Sequence, residues 1–325
     1  EIGGGTAMST RLTEDARGVY VIAATPFAEN GAVDFPSIDR LVEFYIGEGV
    51  HGMTVLGIMG EAPKLTDSEQ TAVLARYLKR IDGRVPVIVG VSNPGIDNLA
   101  ALSKASMDAG AAGVMVAGMP GLKTDEQVLG YFDNVMGKID ADTPVCLQDY
   151  PPTTTVHMSV GNVNQLITDH PRIVMFKHED CPGHRKLTRI RRAPETDGVR
   201  RVSILTGNGA LYVPQELARG ADGLMTGFAF PGMLVDVYEN YAAGIEQAGE
   251  DLFDCYLPIV RHEQQIGMGL AIRKEILRRR SALVCAAARA PGPSLDADDM
   301  AELDGLLGRL KDKLQATGAP VPNGI

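Results

Sequence analysis

The chain has 325 residues, of which 45% are hydrophobic and 22% charged, and its formal net charge is −10. These proportions are typical of a globular protein and exclude collagen, coiled coils and disordered chains. The acidic balance argues against a nucleic-acid or anionic-membrane partner, because either would require a basic surface. The length suits two ordinary domains or one large α/β barrel with an appended region.

The beginning of the chain and its cysteines indicate a cytoplasmic protein. Residues 1–10 lack the basic and apolar regions of a signal peptide, and we interpret them as a vector-derived or disordered leader. Cys146, Cys181, Cys255 and Cys285 form no Cys-x-x-Cys pair. Reduced thiols are therefore expected, rather than disulfides or a structural zinc site. No run of eighteen apolar residues predicts a membrane span.

Short apolar runs alternate with amphipathic segments along the first 248 residues. Nearly all the runs are continuously hydrophobic, as expected of parallel strands that are covered on both faces. The predicted strands are Val19–Ala24, Gly52–Gly57, Pro86–Val91, Gly113–Ala117, Pro144–Gln148, Arg172–Lys177, Val202–Thr206 and Gly223–Thr226. Ser37–Gly47 and Asp67–Ile81 are typical of the helices between them, and an eighth helix is expected near Met233–Ala248.

This alternation predicts a (β/α)8 TIM barrel over residues 11–248. A doubly wound sheet would carry a Gly-x-Gly-x-x-Gly turn after its first strand, where this chain has Ala24-Thr25-Pro26-Phe27. Residues 249–325 are predicted to form a C-terminal helical region with a flexible tail. Its three expected helices are Leu252–Gln265, Gly269–Ala288 and Ala297–Gln315.

Chemistry in such barrels lies where the strands end. The sixth strand runs directly into Lys177. Burial of an ammonium group lowers its pKa, and an amine nucleophile needs a lowered pKa to form a Schiff base with a carbonyl substrate. The alternative is a lysine at a strand end whose ammonium group reaches solvent.

The second strand ends in Gly57-Ile58-Met59-Gly60-Glu61. Two glycines three residues apart allow backbone N–H groups to turn inward and hold an anion such as a carboxylate. A plain tight turn before a helix is the alternative interpretation.

The fifth strand ends in Gln148-Asp149-Tyr150. Gln148 and Tyr150 are two residues apart, so their side chains point to the same side of the strand. If that side is the barrel mouth, an amide and a phenol face the pocket together. Alternatively the segment is a polar loop entry with Asp149 as a turn former.

Possible metal ligands crowd the loop after Lys177: His178, Glu179, Asp180, Cys181 and His184. They show no recognised metal-binding spacing, so a polar active-site loop is expected, without a metal or cofactor. A basic run over residues 185–192 follows and is interpreted as a solvated helix face.

Together the three strand ends resemble the dihydrodipicolinate synthase / N-acetylneuraminate lyase superfamily of class I aldolases and dehydratases. The family's Gly-x-x-Gly-Glu loop is matched by Gly57–Glu61, and its Schiff-base lysine by Lys177. The segments Ala24–Phe27, Leu65–Glu69 and Gly220–Gly223 are also similar. The resemblance covers about residues 18–290 and implies a homo-oligomer, either a tetramer or a dimer.

Several positions depart from the namesake enzymes. Ile58-Met59 replace two hydroxyl residues, Gln148-Asp149 replace Tyr-Asn, Met119-Pro120 replace Tyr-Tyr, and Thr153 stands near the place of an arginine that holds a second carboxylate. The resemblance therefore implies neither lysine biosynthesis nor sialic-acid cleavage.

The branch that resembles L-2-keto-3-deoxyarabonate dehydratase shares the Gln-Asp pair. It also has segments similar to Phe176–Gly183, Met225–Pro231 and Leu257–Glu263, although it has a serine where Gly60 stands. This resemblance implies a sugar-acid substrate less firmly than it implies imine chemistry.

The resulting hypothesis is a lyase that binds a small 2-oxo acid as an imine on Lys177. The substrate carboxylate would rest on the backbone N–H groups of Ile58, Met59 and Gly60 in the loop after the second strand. Gln148 would orient the substrate, and Asp149 beside it is also expected to bind substrate. The general acid or base would be Tyr150, Glu61, Glu179 or a water, with Tyr150 favoured by its orientation. The far end of the substrate would meet Gly207, Asn208, Gly209, Thr226 and Gly227.

Dehydration of a 2-keto-3-deoxy sugar acid is the favoured reaction. Aldol cleavage or condensation with pyruvate and an aldehyde would use the same imine. A non-catalytic sensor of keto acids and a metal-dependent aldolase are the remaining alternatives.

Overall fold

Eight parallel strands pair in chain order, and the eighth pairs with the first, so that the sheet closes into a barrel. The computed structural model describes residues 11–325, and the predicted leader at residues 1–10 lies outside the described residues. The strands are β1 (Gly18–Ile22), β2 (Gly52–Val55), β3 (Val87–Gly90), β4 (Gly113–Ala117), β5 (Val145–Asp149), β6 (Ile173–His178), β7 (Ser203–Thr206) and β8 (Gly223–Thr226). The predicted TIM barrel is confirmed.

Helices surround this barrel and cover its outer face. They are α1 (Phe35–Gly47), α2 (Asp67–Ile81), α3 (Ile96–Asp108), α4 (Asp125–Lys138), α5 (Pro151–Thr154), α6 (Val160–Asp169), α7 (His184–Thr196), α8 (Val213–Ala218), α9 (Pro231–Ala242), α10 (Glu246–Glu263), α11 (Gly269–Arg279) and α12 (Ala297–Thr317). The start of α2 follows the sequence signal, because Thr66 and Glu69 form a capping box there.

The barrel interior and the layer between strands and helices are separate hydrophobic clusters. The interior is filled from alternate strand positions by side chains that include Tyr20, Ile22, Met115, Met175 and Met225. Because side chains alternate along a strand, residues two positions beyond these must point into the barrel mouth. This alternation therefore determines which polar side chains face the mouth of the barrel.

Two predicted helices have different ends in the structure. The segment Met233–Ala248 is divided between α9 and α10, with a break at Gly244, whose φ is +73°. The helix predicted to run to Ala288 ends at Arg279, and Ser281 follows with a φ of +61°. After that turn the chain reaches the loop that follows β2, where the Ala287 carbonyl accepts a hydrogen bond from Lys274 and the Arg289 N–H donates to Glu61.

The tail that the sequence predicted to be flexible lies against the barrel. Ala319 and Val321 pack against the main hydrophobic cluster, and the Asn323 carbonyl accepts a hydrogen bond from Arg280. The division into a barrel and a C-terminal region, like the homo-oligomer, stays a prediction. No helix between residues 11 and 325 combines the length and apolarity needed to cross a membrane.

The basic run on α7 is the predicted solvated face only in part, since its exposed members are Arg185, Arg189 and Arg192. Lys186 is largely buried and pairs with Asp149 and Asp180, while Arg191 pairs with Asp222. The basic side chains of this helix thus differ in burial. The number of basic residues in the sequence does not indicate which of them face the barrel.

Candidate active site

The carboxyl ends of the strands surround a cavity of about 470 Å³. Gln148 and Lys177 are paired positions of β5 and β6, and both side chains point into it. Tyr150 and Glu179 lie two residues further along the chain, immediately after the ends of these two strands, and also line the cavity. A surface cavity of about 840 Å³ lies elsewhere, between α9, α10 and the tail, but it has no lysine in its lining.

Lys177, Glu179 and Gln148 form one connected group. The Lys177 Nζ lies 2.9 Å from Oε1 of Glu179, and the same oxygen accepts a hydrogen bond of 2.7 Å from Nε2 of Gln148. All three side chains are buried, and Lys177 is only 4% exposed. A lysine snorkelling to solvent is therefore not what the structure contains, since the ammonium group meets a carboxylate inside the barrel mouth.

Tyr150 forms part of the wall next to this group. Burial raises the pKa of its phenol above the usual value, and the nearby charge of Glu179 raises it further. The phenol is therefore protonated at neutral pH and is suited to donating a hydrogen bond or a proton.

The loop after β2 forms a 3₁₀ turn over Ile58–Gly60. The N–H groups of Ile58 and Met59 have no protein acceptor in the described part of the chain, and both residues line the cavity with Gly57. Gly60 differs from the prediction, because its N–H donates to the Gly57 carbonyl at 3.0 Å and it does not line the cavity. Two donors, rather than three, are available to an anion.

Glu61 lies in the cavity wall, but its carboxylate is fully engaged. Oε1 accepts from Lys274 at 2.5 Å, and Oε2 accepts from Lys64 and from the Arg289 backbone N–H, each at 2.9 Å. The Glu61 backbone has a φ of +55°, which is unusual for a residue with a side chain. The hypothesis that Glu61 is a general acid or base is thus replaced by a role in tying the β2 loop to α11.

Asp149 was predicted to bind substrate, and its position excludes that role. Its side chain is fully buried on the outer face of β5, where Oδ2 accepts from Lys186 at 2.5 Å and lies 3.7 Å from His178 Nδ1. Alternation along the strand places it opposite to Gln148 and Tyr150. It attaches α7 to the barrel instead.

The residues predicted at the far end of the substrate lie in three different places. Thr226 and Gly227 line the cavity, as does Gly209. Gly207 lies against Glu179, and a Cβ at this position would overlap that carboxylate. Asn208 was wrongly placed, since it lines a separate cavity behind β6 and β7.

Sequence reasoning missed the wall supplied by the C-terminal helices. Glu263 ends α10, Arg273 lies on α11, and the connecting residues 264–267 also line the cavity. The segment Leu257–Glu263 resembles one of the dehydratase branch, but nothing in its spacing indicates that Glu263 faces the cavity.

The described residues give no grouping of three or more His, Cys, Asp or Glu side chains that could hold a metal ion. Cys146, Cys181, Cys255 and Cys285 are all free thiols. Cys146 lies below Lys177, and burial raises the pKa of its thiol to about 12. The loop residues His178 and His184 face the cavity behind the barrel or the α7 packing, rather than the Lys177 cavity.

Comparisons with known proteins agree with this geometry. The L-2-keto-3-deoxyarabonate dehydratase of Azospirillum brasilense is 28% identical over 309 residues, which cover 93% of this chain and 97% of the relative. The 4-hydroxy-tetrahydrodipicolinate synthase of Sorangium cellulosum is 33% identical over 211 residues, covering 64% and 67% of the two chains. The crystal structure of dihydrodipicolinate synthase from Rhodopseudomonas palustris matches with a TM-score of 0.91 and 48% identity, over 93% of this chain and all of the other.

The dihydrodipicolinate synthetase family model matches residues 15–309, nearly the whole described chain. The family predicted from the strand ends is therefore confirmed. The chain belongs to the dihydrodipicolinate synthetase family and is an enzyme of the lyase type.

Proposed function

We propose that the protein is a class I lyase that converts a 2-oxo acid, most favourably a 2-keto-3-deoxy sugar acid, through an imine on Lys177. The main observation in support of this proposal is the buried contact between Lys177 and Glu179 at the floor of the cavity. A carboxylate beside the amine can accept its proton and leave a neutral nucleophile, which is the state that attacks a carbonyl.

The first steps need only these two groups and the substrate. The Lys177 nitrogen adds to the C2 carbonyl carbon, and the resulting alcohol leaves as water, which produces a protonated imine. This cation attracts electrons, so a base can remove a C3 proton and leave an enamine instead of a free carbanion. Glu179 is placed to serve as that base, because it already contacts the nitrogen that carries the imine.

The substrate carboxylate would be held by the β2 loop. The N–H groups of Ile58 and Met59 are free to donate, and they belong to the first turn of a short helix that faces the cavity. Preorganised backbone donors bind an oxyanion without any hydroxyl side chain. The replacement of the family's two hydroxyl residues by Ile58 and Met59 is compatible with this arrangement.

Elimination then requires an acid for the departing hydroxyl. The enamine electrons form the C3–C4 double bond as the C4–O bond breaks, and a proton must reach that oxygen so that water leaves. Tyr150 is protonated at neutral pH and lies in the same wall, while protonated Glu179 is the second donor. Hydrolysis of the remaining imine releases the product and restores the Lys177 amine.

Dehydration is supported by the relative from Azospirillum brasilense, which is named a keto-deoxy sugar acid dehydratase and aligns along almost its whole length. The amide of Gln148, where other members have a tyrosine, also supports a reaction different from that of the 4-hydroxy-tetrahydrodipicolinate synthases. Retro-aldol cleavage would use the same imine but break the C3–C4 bond, and it remains the second candidate because the amine and its carboxylate serve both reactions.

Borohydride trapping tests the imine directly. The protein would be incubated with pyruvate or a 2-keto-3-deoxypentonate, reduced, digested and mapped by mass spectrometry. Lys177→Met should lose the adduct, whereas the exposed control Lys104→Met should retain it. An adduct on Lys64 or Lys274, or none on any lysine, would refute the proposal.

The products separate the two reactions. Dehydration yields one 2-oxo acid that keeps every carbon and lacks one water, whereas cleavage yields pyruvate and an aldehyde. Mass spectrometry of the reaction mixture distinguishes them, and insensitivity to EDTA would be expected of either imine reaction.

A further inference from the structure

Arg273 presents an unused hydrogen-bond donor to the candidate active site. Its side chain comes from α11, lines the same cavity as Lys177 and is 3% exposed. Within residues 11–325, its Nη1 has no hydrogen-bond partner. A guanidinium donor that is buried without an acceptor is costly, and this one belongs to a side chain in the wall of the cavity.

The guanidinium group is held firmly by Glu263. Arg273 Nε donates to Glu263 Oε2 at 2.9 Å, and the other carboxylate oxygen accepts from the Ala229 backbone N–H at 3.2 Å. Glu263 thus anchors Arg273 to the loop after β8. This pair fixes the direction of the free donor and also compensates the charge of the arginine.

Gly227 makes room for that donor at the end of β8. A Cβ on Gly227 would overlap Arg273 Nη1, so only glycine allows the guanidinium group to lie so close to the strand end. Thr226 and Gly227 border the side of the cavity supplied by β8, whereas the free N–H groups of Ile58 and Met59 border the side supplied by β2. Since β2 and β8 are the two neighbours of β1 in the closed barrel, one ligand that spans this part of the mouth can contact both sets of donors.

We propose that Arg273 Nη1 donates a hydrogen bond to an uncharged oxygen, such as a hydroxyl, at the distal end of the 2-oxo acid. This inference rests on the proposed function, because it takes the carboxylate end of the substrate to be bound at the β2 loop. A second carboxylate fits less well, since Glu263 already neutralises Arg273 and a further anion would meet a buried carboxylate nearby. Arg273 is thus the residue that selects sugar acids over dicarboxylates.

Three 2-oxo acids of equal length test this selection: a 2-keto-3-deoxypentonate with a distal hydroxyl, 2-oxoglutarate with a distal carboxylate, and 2-oxopentanoate with a methyl group. Competitive borohydride trapping on Lys177 measures their relative occupancies, with pyruvate as the reference. The wild-type protein should favour the deoxypentonate over each of the others by about tenfold or more, as expected of one charge-assisted hydrogen bond.

Arg273→Lys keeps the positive charge for Glu263 but removes the forked donor. It should abolish most of the preference for the deoxypentonate over the other two acids, with each adduct yield expressed relative to that of pyruvate in the same variant. Arg278→Lys is the matched control, because Arg278 lies on the same helix, is itself largely exposed and pairs with Glu275 outside the cavity. The double variant Arg273→Met/Glu263→Gln removes both charges together, so that neither is left buried alone, and should show the same loss of preference.

The outcomes separate the inference from the proposed function. If pyruvate is trapped on Lys177 but the wild type and Arg273→Lys discriminate equally, the role of Arg273 is refuted and the imine stands. A preference for 2-oxoglutarate would refute the uncharged-oxygen assignment. If no 2-oxo acid is trapped by the wild type, the proposed function and this inference fail together.

Discussion

Lys177, near the end of β6, and Glu179, the first residue after that strand, meet at 2.9 Å. His178 lies between them and points to the opposite face, 3.7 Å from Asp149. One short segment thus supplies an amine and a carboxylate to the cavity and anchors its own back face to the helix layer. The chemistry and the rigidity of the site depend on the same alternation.

Replacement of Glu179 by Gln should separate imine formation from later proton transfers. The amide retains the shape of the side chain but cannot take up a proton, so turnover of a deoxy sugar acid should fall by about 10²–10⁴-fold. Borohydride trapping of pyruvate should persist at reduced rate, because the amine can still react when it is deprotonated by water. Glu195→Gln, an exposed carboxylate on α7, is the control. Equal turnover in Glu179→Gln and wild type would contradict a proton-transfer role.

Tyr150→Phe tests the protonated phenol. Burial raises the pKa of Tyr150, so the phenol keeps its proton throughout the neutral range and loses it only above its ordinary value near 10. We expect kcat to fall by about tenfold or more while the kcat profile between pH 6 and 9 keeps its shape. The matched control is Tyr212→Phe, which changes a tyrosine in the separate cavity. A phenylalanine variant with wild-type kcat would remove Tyr150 from the mechanism.

The strand order, the barrel and the lysine position could be predicted from the sequence because they follow from local patterns. Continuous apolar runs predict parallel strands, and the rule of alternation correctly brings Gln148 and Tyr150 to one side. The same rule, applied to Asp149, predicts the outward position that the structure has. The error was to count Asp149 with its neighbours as a binding residue.

Contacts that join distant parts of the chain could not be predicted in this way. Glu61 and Lys274 are 213 positions apart, and nothing near either residue indicates their contact. Arg273 reaches the cavity because the α10–α11 connection folds over the barrel mouth, a feature that depends on tertiary packing rather than periodicity. Asn208 likewise lines another cavity, and its left-handed backbone, with a φ of +49°, is not indicated by the strand pattern before it.

The buried pair of Lys274 and Glu61 should contribute strongly to stability. Lys274 is fully buried, and its ammonium group donates to Glu61 and to the Thr25 and Ala287 carbonyls. Lys274→Met leaves the carboxylate without its buried partner, so the free energy of unfolding should fall by about 3–5 kcal/mol. Urea unfolding measures this change, with the exposed Lys313→Met as the control.

The double variant Lys274→Met/Glu61→Gln distinguishes the loss of a partner from the loss of packing. It should recover part of the lost stability, because no buried charge is then left uncompensated. A single variant as stable as the wild type would show that Lys64 and Arg289 suffice to hold Glu61.

Glu216 should make the stability depend on pH. Burial raises the pKa of its carboxyl group to about 7 from an ordinary value of 4.5, and its Oε2 has no hydrogen-bond partner among residues 11–325. Between these two pH values the native state holds a proton that the unfolded state has released. Stability therefore decreases as the pH rises from 4.5 to 7, and at higher pH the full cost of about 3 kcal/mol is reached.

Glu216→Gln removes this titration while keeping a side chain of similar shape. The variant should match the wild type near pH 4.5 and exceed its free energy of unfolding by up to about 3 kcal/mol at pH 8. Urea unfolding of both proteins at the two pH values gives the difference, in which the titrations shared by both proteins cancel. His178 and Glu179 are the ionisable neighbours that act on this group, the first lowering and the second raising the pKa of Glu216. A stability difference that is the same at pH 4.5 and pH 8 would mean that Glu216 is not the titrating group.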